Sequence, residues 1–381
     1  IEQKEKNAAS FYEFELFCVQ NLTQMSRSVV EESLGQESNF RKKKTLQSYY
    51  GDLELDKSHR YFEGIKGCKV SPLLKEIICF VGQSECYDNS SEILKKTMQL
   101  VIDDNKIYRV CKSMGEECEK WLEEERKEEQ ISLGNSNDEV VYAHCDGSML
   151  LTRKDGWKEA KVGRVYKSSD IVETSKDRGF IGKSWYTYLI GGHEEFEVKM
   201  SEYLDKISKI NERLVFITDG ARWIVNWITA EYPKATQILD FFHAFEHCCA
   251  FAKLAINCEK ERSKWLAKIK QIMLEKGVDQ LLKEIDKLEC NTKTKEEERK
   301  KLIKYIENNR TRMDYPTYIA QNLLIGSGAM EAAHRTLIQV RCKLSGQRWT
   351  VEGATNILNL RNLRMNGKWS KLTEHLSTNA A

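Results

Sequence analysis

The order of apolar and polar residues predicts a helical N-terminal part followed by a mixed α/β part. Helical spacing of apolar residues recurs in the segments 11–19, 73–81, 91–101 and 103–114. Ser71 and Pro72 favour a helix start, because serine caps a first turn well and proline fits its first position. A strand-like piece at 46–50 follows a basic run at 41–44.

The three short helices predicted between residues 72 and 114 have the spacing of a helix-turn-helix. A small helical bundle that does not contact DNA fits the same pattern, and the sequence leaves both interpretations open. The Glu- and Lys-rich segment 116–130 predicts a solvated linker helix, and the turn-forming residues 132–138 predict a domain boundary.

Beyond this boundary, strands and helices alternate. Strands are predicted at 140–145, 161–166, 185–190, 214–218 and 236–239, and helices at 194–210 and 222–231. This order is typical of an α/β sheet of mixed direction. Residues 244–309 are helical in pattern, with an exposed tip predicted at 291–300, and Gly326-Ser327-Gly328 opens a further helix.

The composition is that of a soluble globular protein, with 41% hydrophobic residues, 31% charged residues and only three prolines in 381 residues. No run approaches about 18 consecutive apolar residues, and the first ten residues are polar. We therefore expect no membrane span, no signal peptide and a cytoplasmic location. The twelve cysteines include no Cys-x-x-Cys pair, which favours reduced thiols over a zinc ribbon.

The net charge of +2 averages two unlike parts of the chain. Residues 1–140 hold 20 basic and 27 acidic side chains, whereas residues 141–381 hold 40 basic and 31 acidic ones. The near-neutral total excludes a histone-like tail protein or a strongly basic coat. The basic second part remains compatible with an enzyme that acts on nucleic acid.

Three acidic residues are the candidates for chemistry. Asp146 and Asp219 each follow a predicted strand and precede a glycine, and Glu331 falls in the first turn of the helix after Gly328. Each Asp-Gly pair taken alone is typical of a simple turn. Carboxylates at strand ends, however, sit where α/β sheets bind ligands, and converging carboxylates favour a divalent metal such as Mg²⁺.

Four stretches carry a family resemblance: HCDGSMLLTRKDGWKEAKVGRVY (144–166), FITDGARWI (216–224), ILDFFHAFEH (238–247) and LLIGSGAMEAAHRTLIQVRCKLSGQRWTVEGATNILNLR (323–361). Together they resemble the transposases of the bacterial ISKra insertion-sequence family, a group related to ISLre-type and Mutator-like DDE transposases. The resemblance covers essentially the whole region 140–370.

The resemblance implies an α/β ribonuclease H-like catalytic core with an all-helical insertion, plus a mainly helical, helix-turn-helix-like N-terminal domain. Its acidic triad falls on Asp146, Asp219 and Glu331, which would bind two Mg²⁺ or Mn²⁺ ions. The implied domains are an N-terminal region (1–70), a DNA-binding segment with a linker helix (71–132), a catalytic domain (139–247 and 317–375) and the insertion (248–316).

The Mutator-like relatives also carry an Asp-x-x-His signature, which matches Asp240 and His243 here. The resemblance implies that Asp240 contacts the DNA and that His243 belongs to the catalytic site, where it contacts DNA near the scissile phosphate or shapes the metal site. A helix-packing role for His243 fits the pattern equally. Family members often carry an N-terminal Cys-x-x-Cys pair, but this chain has only Cys68 at that place. We therefore expect segment 72–114 to recognise the DNA ends.

Basic side chains supply the candidate DNA contacts. Residues 325–381 hold eight basic and three acidic side chains, which suits a polyanionic substrate beside a carboxylate site. Arg348 and Trp349 are candidates for stacking on a flipped base, with a buried core tryptophan as the alternative. The remaining candidates are Arg335, Arg341 and Lys343, together with Lys106, Arg109 and Lys112 on the last N-terminal helix.

The sequence thus predicts a metal-dependent DNA transposase of a bacterial insertion sequence. Its expected partners are the terminal inverted repeats of the element, the target DNA and further copies of itself in a dimer or higher oligomer. Two alternatives remain at this stage: a ribonuclease H-like nuclease or resolvase without strand transfer, and a non-catalytic, domesticated DNA-binding derivative.

Overall fold

The computed structural model describes residues 11–33, 43–56, 69–128, 139–175, 178–208 and 213–378. Cys68, the first two residues of the basic run 41–44 and the predicted boundary 132–138 lie outside them. The chain divides into two compact units, one made of residues 1–124 with 340–381 and the other of residues 125–339. Residues 340–375, predicted as part of the catalytic domain, thus belong to the same unit as the N-terminal segments.

The first unit combines a β-hairpin with helices. Its elements are α1 (Phe11–Ser33), β1 (Lys43–Ser48), β2 (Gly51–Asp56), α2 (Pro72–Gly82), α3 (Tyr87–Met98), α4 (Asp104–Glu128), α14 (Val351–Met365) and α15 (Trp369–Thr378). Ser71 caps α2 by accepting a hydrogen bond from the Leu74 amide, as the sequence predicts. The predicted helices 103–114 and 116–130 form one continuous helix, α4, since no breaker residue separates them.

Helix α14 is the buried centre of this unit. Every residue from Gly353 to Leu363 except Thr355 is buried, as expected for a helix that has neighbours on all sides. Gly115 of α4 lies so close to it that a Cβ atom there would be 2.4 Å from the carbonyl oxygen of Asn356. The Asn359 amide donates to the Gly115 carbonyl at 3.0 Å, which fixes this contact.

The second unit is built on a five-stranded mixed sheet in the order β7-β4-β3-β8-β9. Strand β4 is antiparallel to both neighbours, whereas β3, β8 and β9 are parallel. Its elements before the insertion are β3 (Val141–Leu151), β4 (Trp157–Lys167), β5 (Ile171–Ser175), β6 (Arg178–Ile181), β7 (Trp185–Ile190), α5 (His193–Ser208), β8 (Leu214–Thr218), α6 (Arg222–Glu231) and β9 (Thr236–Leu239).

Helices cover the two faces of this sheet with separate cores. Val141, Ala143 and Cys145 pack with residues of α5 and α6 in one core. Val140 and Tyr142, which alternate with them, contribute to the other core with the helices that follow β9. This period-two alternation explains why every residue of the first half of β3, Val141–Cys145, is buried.

A series of helices follows β9. They are α7 (Phe241–Ala255), α8 (Glu259–Glu275), α9 (Val278–Asp286), α10 (Lys293–Asn309), a 3₁₀ turn (Arg310–Arg312), α11 (Tyr315–Ala320), α12 (Gly328–Ala333), a π-helical segment (His334–Gln339) and α13 (Val340–Cys342). Those up to the π-helical segment belong to the second unit, α12 among them contacts β3 and β4, and α13 belongs to the first unit. The predicted tip at 291–300 was wrong in extent, because Thr292 caps α10 and starts the helix at Lys293.

Among the helices of the described residues, none is both long enough and apolar enough to span a membrane.

Candidate active site

Asp146 lies within strand β3 rather than at its end. Asp146 and Gly147 still pair with Val162 and Lys161 of β4, so the predicted turn at Gly147 was wrong. A Cβ atom on Gly147 would lie 2.0 Å from a carboxylate oxygen of Glu159, so glycine leaves room for this neighbouring side chain. The Gly147 amide donates to Oδ1 of Asp146 at 2.6 Å and orients the carboxylate.

Asp219 follows directly after β8, as predicted. Gly220 has a φ of +95°, a left-handed conformation that turns the chain away from the sheet at low cost only for glycine. The Ala221 amide donates to Oδ1 of Asp219 at 3.0 Å. Strands β3 and β8 are parallel and Ala143 pairs with Phe216, so Asp146 and Asp219 each follow this pair by three residues.

The third carboxylate, Glu331, lies on the short helix α12, which contacts β3 and β4. Two contacts hold the chain that leads into this helix beside the end of β9. Ser327 donates from its hydroxyl to Oδ2 of Asp240, and the Phe241 amide donates to the Ile325 carbonyl at 2.9 Å.

The structure brings the three predicted carboxylates to the walls of one cavity. The cavity has a volume of about 200 Å³ and is lined by residues of β3, β8, α12 and the π-helical segment. These residues include Asp146, Asp219, Ser327, Glu331 and His334. Asp146 and Asp219 are half-buried and Glu331 is exposed, so the site is open to a solvent-borne ligand.

Burial and charge act together on Asp219. Its pKa is raised mainly by removal from water and further by the negative charge of Asp146. The Ala221 amide and the nearby His243 act in the opposite direction and favour the charged carboxylate. A cation bound between Asp146 and Asp219 would relieve their repulsion.

The donor set fits a hard divalent cation. Mg²⁺ is usually bound by one or two carboxylates, with water and substrate phosphate completing its coordination. Asp146 and Asp219 supply two such carboxylates, with Glu331 on the wall of the same cavity. Within the described ranges, no three His, Cys, Asp or Glu side chains are grouped closely enough to hold a metal ion by themselves. Substrate phosphate would thus contribute to binding.

Asp240 and His243 occupy different environments. Asp240 is buried, caps α7 by accepting a hydrogen bond from the Phe242 amide, and accepts the Ser327 hydroxyl. His243 is half-buried on the first turn of α7 and close enough to Asp219 to influence its pKa. The structure therefore places His243 near the carboxylates and gives Asp240 a packing role between β9 and the Glu331 loop.

Sequence reasoning missed one residue that lines this cavity, His334, and one that holds α12 in place, Arg164. His334 is 5% exposed, and its Nε2 lies 3.2 Å from Oδ2 of Asp146. Arg164 of β4 is buried between the rings of Tyr166 and Tyr186, and it donates to the Ala329 carbonyl of α12 at 2.7 Å. The spacing Glu331-x-x-His334, one helical turn, was the only available signal for either residue.

The predicted C-terminal DNA contacts differ in exposure. Arg335, Lys343 and Arg348 are exposed, whereas Arg341 and Trp349 are buried. The Arg341 guanidinium lies 4.7 Å from the ring centroids of both Tyr87 and Trp349 and donates to the Gly82 carbonyl at 3.0 Å. These contacts give Arg341 and Trp349 a structural role inside the first unit.

Two of the three predicted contacts on α4 lie in a basic cavity of the first unit. This cavity of about 690 Å³ is lined by Lys69, Lys75, Lys106 and Arg109, together with residues of β1 and β2. Lys106 donates to the Gln47 side chain at 2.8 Å. Lys112 lies elsewhere on the helix and pairs with Glu352 at 2.8 Å.

The fold and site define a mixed α/β protein with a carboxylate-lined cavity on a central sheet. Residues 40–376 match the uncharacterised protein family UPF0236, and the chain therefore belongs to this family. Among proteins with curated descriptions, none matches the chain at a significant level.

Proposed function

We propose that this protein is a metal-dependent DNA transposase of the ISKra type, acting in the bacterial cytoplasm. The observation that carries the proposal is the convergence of Asp146, Asp219 and Glu331, from three separate parts of the chain, on one small cavity. The UPF0236 family is associated with transposase-like proteins, which agrees with this function.

The sheet supports a ribonuclease H-like catalytic core. Its order, β7-β4-β3-β8-β9 with only β4 antiparallel to its neighbours, places the first acidic residue on the central strand. The second acidic residue follows the adjacent parallel strand, and the third lies on a helix packed against β3 and β4. The helices between β9 and α12 correspond to the insertion that the resemblance implies.

Each side chain has a defined part in the proposed reaction. Asp146 and Asp219 would hold divalent cations, which supply Lewis-acid stabilisation of phosphate charge and a more acidic bound hydroxyl. The Gly147 and Ala221 amides fix the two carboxylates, so little reorganisation is needed when substrate arrives. Glu331 approaches the same phosphate from α12. Water or a DNA 3′-hydroxyl attacks, and the 3′-oxygen of the cleaved strand leaves.

The basic cavity of the first unit is the proposed binding site for the backbone of the element ends. Lys69, Lys75, Lys106 and Arg109 provide the positive charge that phosphate contacts require. Binding of two ends would place two copies of the chain in one synaptic complex, as a homodimer or higher oligomer.

A nuclease or resolvase without strand transfer would use the same carboxylate cavity. The two functions separate in an assay with labelled element ends, unlabelled target DNA and Mg²⁺ or Mn²⁺. A transposase produces both nicked ends and joined product. A nuclease produces cleavage without joining, and a domesticated DNA-binding derivative produces neither while still retaining the labelled ends.

A further inference from the structure

A second cavity of the α/β unit carries an unexplained concentration of positive charge. It has a volume of about 560 Å³ and lies between α6, α10 and the 3₁₀ turn that follows α10. Its cationic lining residues are Arg222, Lys301, Lys304 and Arg312, and its lining includes no aspartate or glutamate. Lys301 pairs with Glu298, whereas Arg222 and Lys304 are exposed to solvent.

Arg312 is the buried anchor of this cavity. Only 6% of the residue is exposed, and one guanidinium nitrogen, Nη2, donates to the side-chain oxygen of Asn309. The other terminal nitrogen, Nη1, is buried without a hydrogen-bond partner, and so is the hydroxyl of Tyr305. A buried cation with an unmet donor is costly, so this arrangement favours an anion that accepts a hydrogen bond.

This cavity and the carboxylate cavity are lined by consecutive residues of one turn. Gly220, the residue after Asp219, lines it, and a Cβ atom on Gly220 would lie 3.4 Å from Nη2 of Arg312. The turn that positions Asp219 therefore packs directly against Arg312. Arg312 thus lies beside the turn that carries Asp219, and the exposed cations Lys304 and Arg222 line the same cavity.

We propose that this cavity binds backbone phosphates of the DNA strand adjacent to the scissile phosphate. The inference rests on the proposed function and extends it, because it assigns the insertion helix α10 a substrate-binding role. Arg312 and the exposed cations provide contacts to phosphate oxygens rather than to bases. The cavity therefore holds the strand in place without reading its sequence.

The test is DNA binding without chemistry. Affinity for a fluorescent duplex is measured by anisotropy in EDTA over a range of salt concentrations, for the full chain and for the double variant R222E/K304E. Each lost phosphate contact lowers the slope of log affinity against log salt by about 0.9, so we expect a fall of about 1.8. We also expect an affinity loss of at least about tenfold at 0.15 M salt.

The matched control is K264E/K270E, which makes the same charge change at two exposed lysines of α8 outside the cavity. It should alter the salt slope much less than R222E/K304E does. An equal change in both double variants, or an unchanged slope in R222E/K304E, would overturn the proposal. Because these are surface substitutions, melting temperatures should remain close to that of the parent protein.

Arg312 is tested separately because its replacement can affect folding. R312K retains the charge but loses the planar fork, so R312K compared at matched folded fraction should bind DNA more weakly than the parent protein. If R312K does not fold, the comparison of R222E/K304E with K264E/K270E alone tests the proposal. If R222E/K304E shows a reduced salt slope but the parent protein cleaves no DNA in Mg²⁺, the phosphate-binding site is supported and the transposase function is refuted. If R222E/K304E has the salt slope of the parent protein and the parent protein cleaves DNA, the phosphate-binding site is refuted and the transposase function is supported.

Discussion

The imidazole Nε2 of His334 lies 3.2 Å from Oδ2 of Asp146. His334 begins the π-helical segment that follows α12, three residues after Glu331. A single side chain therefore links the helix that carries the third carboxylate to the strand that carries the first. The imidazole is almost fully buried, so this link is held in a fixed position.

Replacing His334 should affect the cleavage rate more than the stability of the fold. H334A removes the close contact of a buried imidazole with the Asp146 carboxylate and should lower the cleavage rate about tenfold or more. H334Q can place a donor near the Nε2 position and should recover part of the rate. Equal rates for H334A and the parent protein, measured at matched folded concentration, would show that the contact has no functional role.

Asp219 should limit stability at neutral pH while serving the reaction. Its pKa is raised above the ordinary value of 3.8, chiefly by burial, so the folded state retains this proton more tightly than the unfolded state. The stabilisation is present below pH 3.8 and is lost as the pH rises through the higher folded-state pKa.

D219N removes this titration and should melt at a higher temperature than the parent protein near pH 7. The difference in melting temperature between D219N and the parent protein should become smaller toward low pH. D219N should not cleave DNA at any pH. Thermal melts of both proteins at several pH values provide the measurement. A D219N protein that is less stable than the parent at pH 7 would contradict this account of the site's electrostatics.

The hydrogen bond between Ser327 and Asp240 should position Glu331. S327A leaves the buried Asp240 without one donor, and we expect a stability loss of about 1 kcal/mol together with a several-fold slower cleavage rate. S327T keeps the hydroxyl and is the matched control. If S327A loses stability but cleaves at the parent rate, the bond supports the fold only.

Arg341 should act in folding rather than in DNA binding. R341A removes two cation–π contacts and a hydrogen bond to Gly82, and it should lower the free energy of unfolding by about 3 kcal/mol. The DNA affinity of the remaining folded protein should be unchanged. Denaturant unfolding and anisotropy at matched folded fractions measure the two effects. A stable R341A protein with weakened DNA binding would reverse this assignment.

Local sequence signals were sufficient for the short buried elements. The segments 185–190, 214–218, 222–231 and 236–239 are predicted residue for residue, because each is an apolar run ended by a turn residue or a change of period. The hairpin of β5 and β6 was missed, since its residues are largely exposed and carry no apolar alternation. Asp146-Gly147 has the sequence of a turn, but pairing with β4 keeps it extended.

The carboxylates of the site were predictable and their supports were not. Asp219 and Glu331 are marked by glycines that have a local structural reason, whereas Arg164 contacts Ala329 across 165 residues of sequence. Ser327 similarly reaches Asp240 across 87 residues. Contacts of this kind depend on how the sheet and α12 pack, and the spacing of residues within one segment does not predict them.

In the proposed function, three carboxylates from separate segments catalyse DNA strand cleavage and transfer. It is tested most directly by incubating labelled element ends and target DNA with the parent protein and with D146N, D219N and E331Q in Mg²⁺. We expect nicked ends and joined product for the parent, and loss of both by at least about a thousandfold in each folded variant. A variant that retained the parent rate of cleavage would contradict it.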